Sequence, residues 1–515
     1  MPDIPKGFGG ISDLLERFKK ASELYEQWRS LYQEAFEYAA PNRETFTQYS
    51  PGQRKNRRVF DSTAIQGVQQ FASRVQGALL PPWQNWADLT AGEEIPEGDV
   101  DTVNAGLEKV SERFFTKLNH SNFYTELPQT LTDLAIGTGA ILVEEGEFDK
   151  GEVMRFTNVP LAELYIEKPG AGAIENVWRK HKIRPNQIKR VWPQAELPDS
   201  LQKLADKEGS DEVEILNGVL YNPEDGLYHQ MVIYAPAKAL LFTQSFKTKR
   251  FIVARWHVTP GEAYGRGPVI LCLPDILTAN KVKQFILENA ALQMAGVYTG
   301  VDDGIFNPHT VRIHPGTVIP VGSNANQNPS LRPLDRSGDL GLGGLILEDL
   351  QNNIRKCLFA DPMGDLTDPV RSATEVMLRN QDMLRNQGAA FGRLKTELIE
   401  PLMAAVMDIL QGRGLVPKLR VDGTEVTIRQ NSPLAKAESM ENFQNSQMWF
   451  QTVSALPPEI VMGSVKVEEL PRYWQEALGV PSELIRSDDE REQIAKAASA
   501  AAEQQLQAQG GQVGQ

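Results

Sequence analysis

The sequence predicts a mixed, mainly α fold with a β-rich subdomain carried on helices. Three observations lead there. Apolar residues recur at helical spacing over 12–39, near 61–80, over about 101–138 and again from 268. Between about 140 and 258 the period shortens to that of strands. Two further helical stretches, 268–295 and 345–358, then flank an insert rich in Gly, Pro and Asn. At 515 residues the chain exceeds one compact core, so two to four domains or segments are expected.

The first helix rests on Leu14, Phe18, Ala21, Tyr25, Trp28, Tyr32, Ala35 and Ala39, spaced alternately by four and three, with Ser12 as N-cap and Pro41 as stop. Pro81-Pro82 ends the second, and 101–138 reads as a third. Strands are expected at 140–143, 153–156, 212–220, 229–234 and 251–258, with a turn at Asn222-Pro223-Glu224-Asp225-Gly226. Helix returns at 268–295, where Pro274 is either a kink or a first-turn proline. The insert 296–340 has strand signals at 297–301 and 311–321, so two helices flank a small projecting tip. A loop with two prolines and three aspartates (361–369) leads into a capping box, Ser372-Ala373-Thr374-Glu375, opening a helix to about 410 that Pro401 should kink. Helical patterns follow near 434–455 and 466–478, and the tail from Asp488 reads as a fraying helix.

Composition excludes several classes. With 53 Lys and Arg against 67 Asp and Glu, the net charge is −14, which argues against a tight grip on nucleic acid, where phosphate neutralisation supplies affinity. It does not exclude a protein that must let DNA slide, for which strong phosphate contacts would act as brakes. Cys272 and Cys357 fit no metal or redox spacing, so a reducing compartment without a structural disulfide is expected. The N-terminus lacks the apolar stretch of a signal peptide, and no run of about 18 apolar residues predicts a membrane helix. No phosphate loop, H-E-x-x-H, C-x-x-C or G-x-S-x-G occurs, so neither ATP-driven motor nor hydrolase chemistry is expected. His309 and His314 lack a completing carboxylate or thiol, and Asp302-Asp303 point to opposite faces of a strand. Asp361, Asp365 and Asp368 lack the full oxygen set of a calcium loop. No metal and no cofactor is expected. Basic runs at 54–58, 179–184, 189–190 and 247–250 read as solvated faces or subunit contacts, with DNA contact the weaker alternative.

Four stretches together resemble the portal, or head-to-tail connector, family of short-tailed, podovirus-type bacteriophages. They are Phe60-Asp61-Ser62-Thr63-Ala64 with Phe71 and Leu79-Leu80-Pro81-Pro82-Trp83; Leu134 to Ala140; Tyr264-Gly265-Arg266-Gly267-Pro268; and Ser372-Ala373-Thr374-Glu375-Val376, where the family has Thr first. Their order and spacing, more than any single motif, carry the resemblance over about 12–450. It implies the phage portal fold of wing, stem, clip and crown in a cyclic ring, normally of twelve subunits, through which double-stranded DNA passes at one capsid vertex. Mapped here, 1–258 is wing, 259–295 a stem helix, 296–340 the clip, 341–358 the second stem helix and 359–371 a tunnel loop. Residues 372–434 are the long kinked helix and wing return, and 435–515 the crown or barrel.

The same resemblance implies that Asp361, Pro362, Met363, Gly364, Asp365, Leu366, Thr367 and Asp368 face the DNA, and that Lys281, Lys283, Arg355 and Lys356 supply lumen charge or inter-subunit ion pairs. Asp302, Asp303, His309, Arg312, His314, Arg332, Asp335 and Arg336 fall in the clip. Implied partners are further copies of the chain, DNA, the terminase large subunit, tail adaptor proteins, and the major capsid and scaffolding proteins, with no membrane. The expected location is the virion, after assembly in the host cytoplasm. The competing readings are another structural virion component, in tail or capsid, and a DNA-processing enzyme.

Overall fold

The structure, a computed structural model, describes residues 2–478 apart from 301–330, 334–339, 361–387, 420–425 and shorter breaks in other loops. Helix α1 (Ile11–Ala39) buries the predicted stripe, Leu14, Ala21, Tyr25, Trp28, Tyr32, Ala35 and Ala39. It starts earlier than Ser12. The Asp13 carboxylate reaches back to the Gly10 N–H at 2.7 Å and so serves the orphan donors of the first turn. Helix α2 (Thr63–Leu79) starts where Asp61 Oδ1 accepts the Thr63 N–H at 2.9 Å, and stops before Pro81. A short strand, β1 (Ala87–Ala91), follows.

The stretch expected as one helix over 101–138 is two, α3 (Val100–Asn119) and α4 (Phe123–Ile136). The break is chemical. Ser121 Oγ accepts the Phe123 N–H at 3.2 Å, and Asn122 exchanges two hydrogen bonds with the backbone of Phe156 at 2.7 and 2.9 Å. Small polar side chains offer the backbone an alternative to the helical ladder, and here they take it.

The β-rich block forms two antiparallel sheets. Strands β2 (Thr138–Glu145), β3 (Met154–Asn158) and β9 (Phe251–Arg255) make one, with β2 in the centre. Strands β4 (Leu164–Ile166), β5 (Val177–Ile183), β6 (Val213–Asn222), β7 (Leu227–Tyr234) and β8 (Ala239–Phe246) make the other, in chain order. The β6–β7 turn is the predicted one. Gly226 sits at φ +70°, which suits glycine, and Asn222 Oδ1 accepts the Glu224 N–H at 3.1 Å. Helices α5 (Pro185–Val191) and α6 (Asp199–Ala205) cover part of this sheet, where Ile188, Trp192, Leu201, Ile215, Val232 and Leu241 form a second, smaller core.

Two basic runs are not plain solvated faces. Arg179 to Lys182 lie within β5. Arg250 is buried and pairs with Asp408 at 2.7 Å, while Lys249 Nζ donates to the Ile174 carbonyl at 2.5 Å. Burial pushes the Lys249 ammonium down to about 8.

Helices α7 (Pro268–Leu271) and α8 (Leu273–Ala295) replace one continuous 268–295 helix; the break is at Cys272, and Pro274 lies in the first turn of α8. Strands β10 (Tyr298–Gly300) and β11 (Leu331–Pro333) pair with each other, and α9 (Leu340–Cys357) returns. The strand expected over 311–321, the capping box at 372–375 and the first half of the long helix lie outside the described residues. From α10 (Gly388–Leu394) the helix passes through a π-helical turn, Lys395–Ile399, into α11 (Glu400–Gly412). Pro401 therefore falls in the first turn of α11, where its missing N–H costs least. Strand β12 (Val426–Gln430) pairs antiparallel with β1, Ala87 opposite Gln430. Helices α12 (Pro433–Ser454) and α13 (Leu470–Leu478) pack through Trp474, which stacks edge-on against Phe443 and Phe450 and donates to Ser446 Oγ at 3.0 Å. Among the described residues no helix is long and apolar enough to cross a membrane.

Candidate stem and its anchorage

Helices α8 and α9 form an antiparallel pair. Ile286 lies against Gly343 near one end, and at the other the Pro268 carbonyl accepts both the Cys272 N–H at 3.1 Å and the Cys357 thiol at 3.3 Å. The β10–β11 ladder extends the pair toward the insert. The inward faces are Cys272 at the α7–α8 break, Leu273, Ile276, Ala279 and Asn280 on α8, and Leu347 and Ile354 on α9. The outward faces keep large apolar groups in solvent: Leu271, Phe285 and Leu287 on the first arm, Leu345 and Ile346 on α9.

The resemblance motifs converge at the base of this pair. Asn280 Oδ1 accepts the backbone N–H groups of Phe60 and Asp61 at 2.6 and 3.2 Å, and its Nδ2 donates to the Arg58 carbonyl at 3.0 Å. The other Asp61 oxygen accepts Gln351 Nε2 at 2.6 Å. The Phe-Asp-Ser-Thr-Ala segment thus clasps both helices. Arg57, Arg58, Phe60, Lys281 and Phe285 border a groove of about 810 Å³ beside that clasp.

The second and third motifs meet as a glycine seam. Gly267 N–H donates to the Ile136 carbonyl at 2.8 Å, and Trp256 N–H to the Gly137 carbonyl at 3.1 Å. A Cβ on Gly265 would stand 2.5 Å from the Gly137 carbonyl oxygen, and one on Gly137 would collide with the Gly265 oxygen. Backbone passes backbone here with no room for a side chain. Tyr32 Oη donates to the Gly265 carbonyl at 2.7 Å, and Thr138 Oγ1 accepts the Gly265 N–H at 2.9 Å. Tyr264 Oη donates to the Leu164 carbonyl at 3.1 Å and accepts the Ile166 N–H at 3.0 Å; burial raises its phenol well above the ordinary value. An ion pair locks the far side. Arg255, 2% exposed, forks onto Glu397 in the π turn at 2.6 and 3.1 Å.

Past the stem the chain turns at Phe359, a non-glycine residue at φ +54°, held by ring contacts with Phe71 and Trp256. Its carbonyl accepts from Arg74. The next residues are the predicted DNA-facing ones, Asp361 to Asp368, which lie outside the described residues. So do Asp302, Asp303, His309, Arg312, His314, Asp335 and Arg336; Arg332 lies on β11.

The four cations expected on the stem helices are described. Lys281 and Lys356 are exposed, Lys283 and Arg355 half-buried. Lys281 rests 4.8 Å from the Phe285 ring centre and donates to Gln284 at 3.0 Å; Arg355 donates to Asn352 at 2.9 Å. Among the described residues none of the four is in an ion pair. Because the helices run antiparallel, Arg355 and Lys356 lie near the root and Lys281 and Lys283 lie about 10–15 Å further along. The structure therefore separates them into two levels and leaves Lys281 level with Glu348.

One arrangement invites an enzymatic reading. His229 lies 2.8 Å from Asp225 through Nε2 and 2.9 Å from Ser245 through Nδ1. Residues 229 and 245 are cross-strand partners, and the ring is packed edge-on under Phe8. This is a polar clasp closing one end of the hairpin, with the ring nitrogens reversed relative to the serine-hydrolase order. Among the described residues no group of three His, Cys, Asp or Glu could hold a metal ion. Asn280, Gln351, Glu397 and the approach of the two cysteines had no signal in the sequence beyond a polar residue at a buried helical position.

The sequence profile of bacteriophage head to tail connecting proteins matches residues 12–485. The chain belongs to that family. Membership covers the body, the α8–α9 pair and the C-terminal helices alike, and marks a structural component of phage particles. Among curated proteins, the chain is similar to a probable portal protein of Bordetella phage BPP-1, 22% identical over 505 residues, which is 92% of this chain and 88% of the relative.

Proposed function

We propose that this chain is the portal subunit of a phage head, closing with further copies into a ring, normally of twelve, at one capsid vertex. The observation that carries this is the glycine-seamed root from which an antiparallel helix pair projects, inside a chain of the connector family. The ring gives the genome a path for packaging and ejection. In this reading 1–258 and 372–434 form the wing, α8 and α9 the stem, 296–340 the clip and 435–515 the crown. The pairing of β12 with β1 supports a wing built from both sides of the stem. Asp361, Asp365 and Asp368 form an acidic band at the tunnel that repels DNA, which carries about one charge per 1.7 Å of axis. The clip residues meet terminase during packaging and tail adaptors afterwards; capsid and scaffolding proteins surround the wing. The ring assembles in the host cytoplasm and functions in the virion.

The stem supports the self-contact. A cyclic ring uses a heterologous interface, so two different faces of one subunit must be complementary. With the stem along the ring axis, neighbours meet at equal height. Phe285 is almost level with Leu345, and Lys281 with Glu348 and Asp349, so the outward face of α8 can meet that of the neighbour's α9 with apolar groups matched and charges opposed. The test is rotationally averaged electron microscopy with native mass spectrometry of the purified chain. A closed ring with a bore that admits a duplex is expected; a tube, a sheet or a persistent monomer overturns the proposal. Steady ATP hydrolysis by the pure chain would favour the enzyme reading instead.

A further inference from the structure

Cys272 and Cys357 are the chain's two cysteines, 85 positions apart, on either side of the insert. The antiparallel course of α8 and α9 brings them together at the stem root. Cys272 occupies the break between α7 and α8, and Cys357 is the last residue of α9. The Pro268 carbonyl accepts both the Cys272 backbone N–H, at 3.1 Å, and the Cys357 thiol, at 3.3 Å. Both thiols are free, and the Cys272 thiol donates to the neighbouring Val269 carbonyl at 3.8 Å, so the two sulfurs sit on adjacent carbonyls of the same turn. We propose that the pair is a covalent modification site, a dithiol that closes to an intrachain disulfide on exposure to a low-molecular-weight disulfide and cross-links the two stem helices.

The two sulfurs have different parts. Cys357 is half-buried, and the Cys272 thiol beside it holds its own thiol below the ordinary value. Cys272 is 4% exposed; the neighbouring Cys357 thiol, and then burial, push its thiol up. Cys357 therefore attacks first, since the thiolate is the nucleophile and access decides the rate. Its proton goes to solvent and its sulfur attacks one sulfur of oxidised glutathione. That S–S bond breaks and one glutathione thiolate leaves. Cys272 then loses its proton and attacks Cys357 Sγ; the protein disulfide forms as the mixed disulfide breaks and the second glutathione thiolate departs. Two protein thiols are oxidised by two electrons, and one external disulfide is reduced to two thiols. The bridge closes the loop that contains the whole insert and fixes the stem two residues before the turn at Phe359.

The test reads sulfur chemistry alone, so it stands apart from ring formation. The full-length chain is incubated with excess oxidised glutathione, denatured, alkylated and analysed by mass spectrometry. Expected is a fall from two alkylated cysteines to none, a mass lower by two hydrogen atoms, and a peptide linking 272 to 357, all reversed by dithiothreitol. Cys272→Ser should trap a stable glutathione adduct on Cys357. Cys357→Ser should leave Cys272 free and alkylated. Two free thiols in the wild type, a persistent glutathione adduct on wild-type Cys357, or linkage between chains would each overturn the proposal.

Discussion

Gly137 and Gly265 show how little room a single methyl group has at the root of the α8–α9 pair. Overpacking a core costs about 1–3 kcal/mol where side chains can yield, and here the neighbour is a backbone carbonyl. Gly265→Ala is expected to lower stability by about 3 kcal/mol in chemical denaturation. Gly106→Ala, in α3 with open space around it, should raise it by up to about 1 kcal/mol. Arg255 argues the same point electrostatically. Arg255→Ala leaves the half-buried Glu397 with its 3.5 Å contact to Arg393 and should cost about 3 kcal/mol, whereas Arg255→Met combined with Glu397→Leu should restore much of the loss. His181 gives a pH test. Burial, then Arg179, lower its imidazole to about 3, and its Nδ1 has no hydrogen-bond partner. The folded state therefore holds fewer protons than the unfolded one between pH 3 and 6.5, so stability falls as pH drops through that window. For this partly exposed ring the loss from pH 8 to pH 5 should be roughly 1 kcal/mol, and absent in His181→Gln, by urea titration at both pH values.

At the scale of elements, Asn280 is the residue that makes α8 more than a helix. Asn280→Leu removes three hydrogen bonds to the backbone of 58–61 and is expected to cost about 1–3 kcal/mol, with faster amide exchange at Phe60 and Asp61 as the readout. Elements with one dry face were legible in the sequence. Helix α1 shows its stripe because nothing interrupts seven turns of alternating spacing. Strand β5 was hidden because only Val177 and Trp178 are buried and a basic run, Arg179 to Lys182, follows before Ile183. Strands β1, β4 and β8 were passed over as well, two of them five residues or shorter. The split between α3 and α4 and the π turn before Pro401 depend on hydrogen bonds to distant backbone, which periodicity does not encode. Of the candidate site, the motif glycines were visible as letters, but their face-to-face seam was not. The two cysteines were read as unrelated because 85 residues separate them and only the helix pair reunites them.

For the whole molecule, the ring reading makes a charge test decisive. Lys281→Glu should weaken assembly at least about tenfold, about 1.4 kcal/mol per interface, by native mass spectrometry at low salt. Adding Glu348→Lys and Asp349→Lys should restore it, because opposite charges meet again with their places exchanged. A ring that assembles unchanged with Lys281→Glu would leave the portal assignment standing and remove this contact from it. The pairing of β1 with β12 bears on a different matter, the order in which the nascent polypeptide matures. Ala87 emerges from the ribosome long before Gln430, its partner across the ladder. At about 5–20 residues per second, that edge waits from roughly twenty seconds to over a minute for its mate. The body is thus finished only after the α8–α9 pair has been made, which sets translation itself as the timer for when its sheet edge closes.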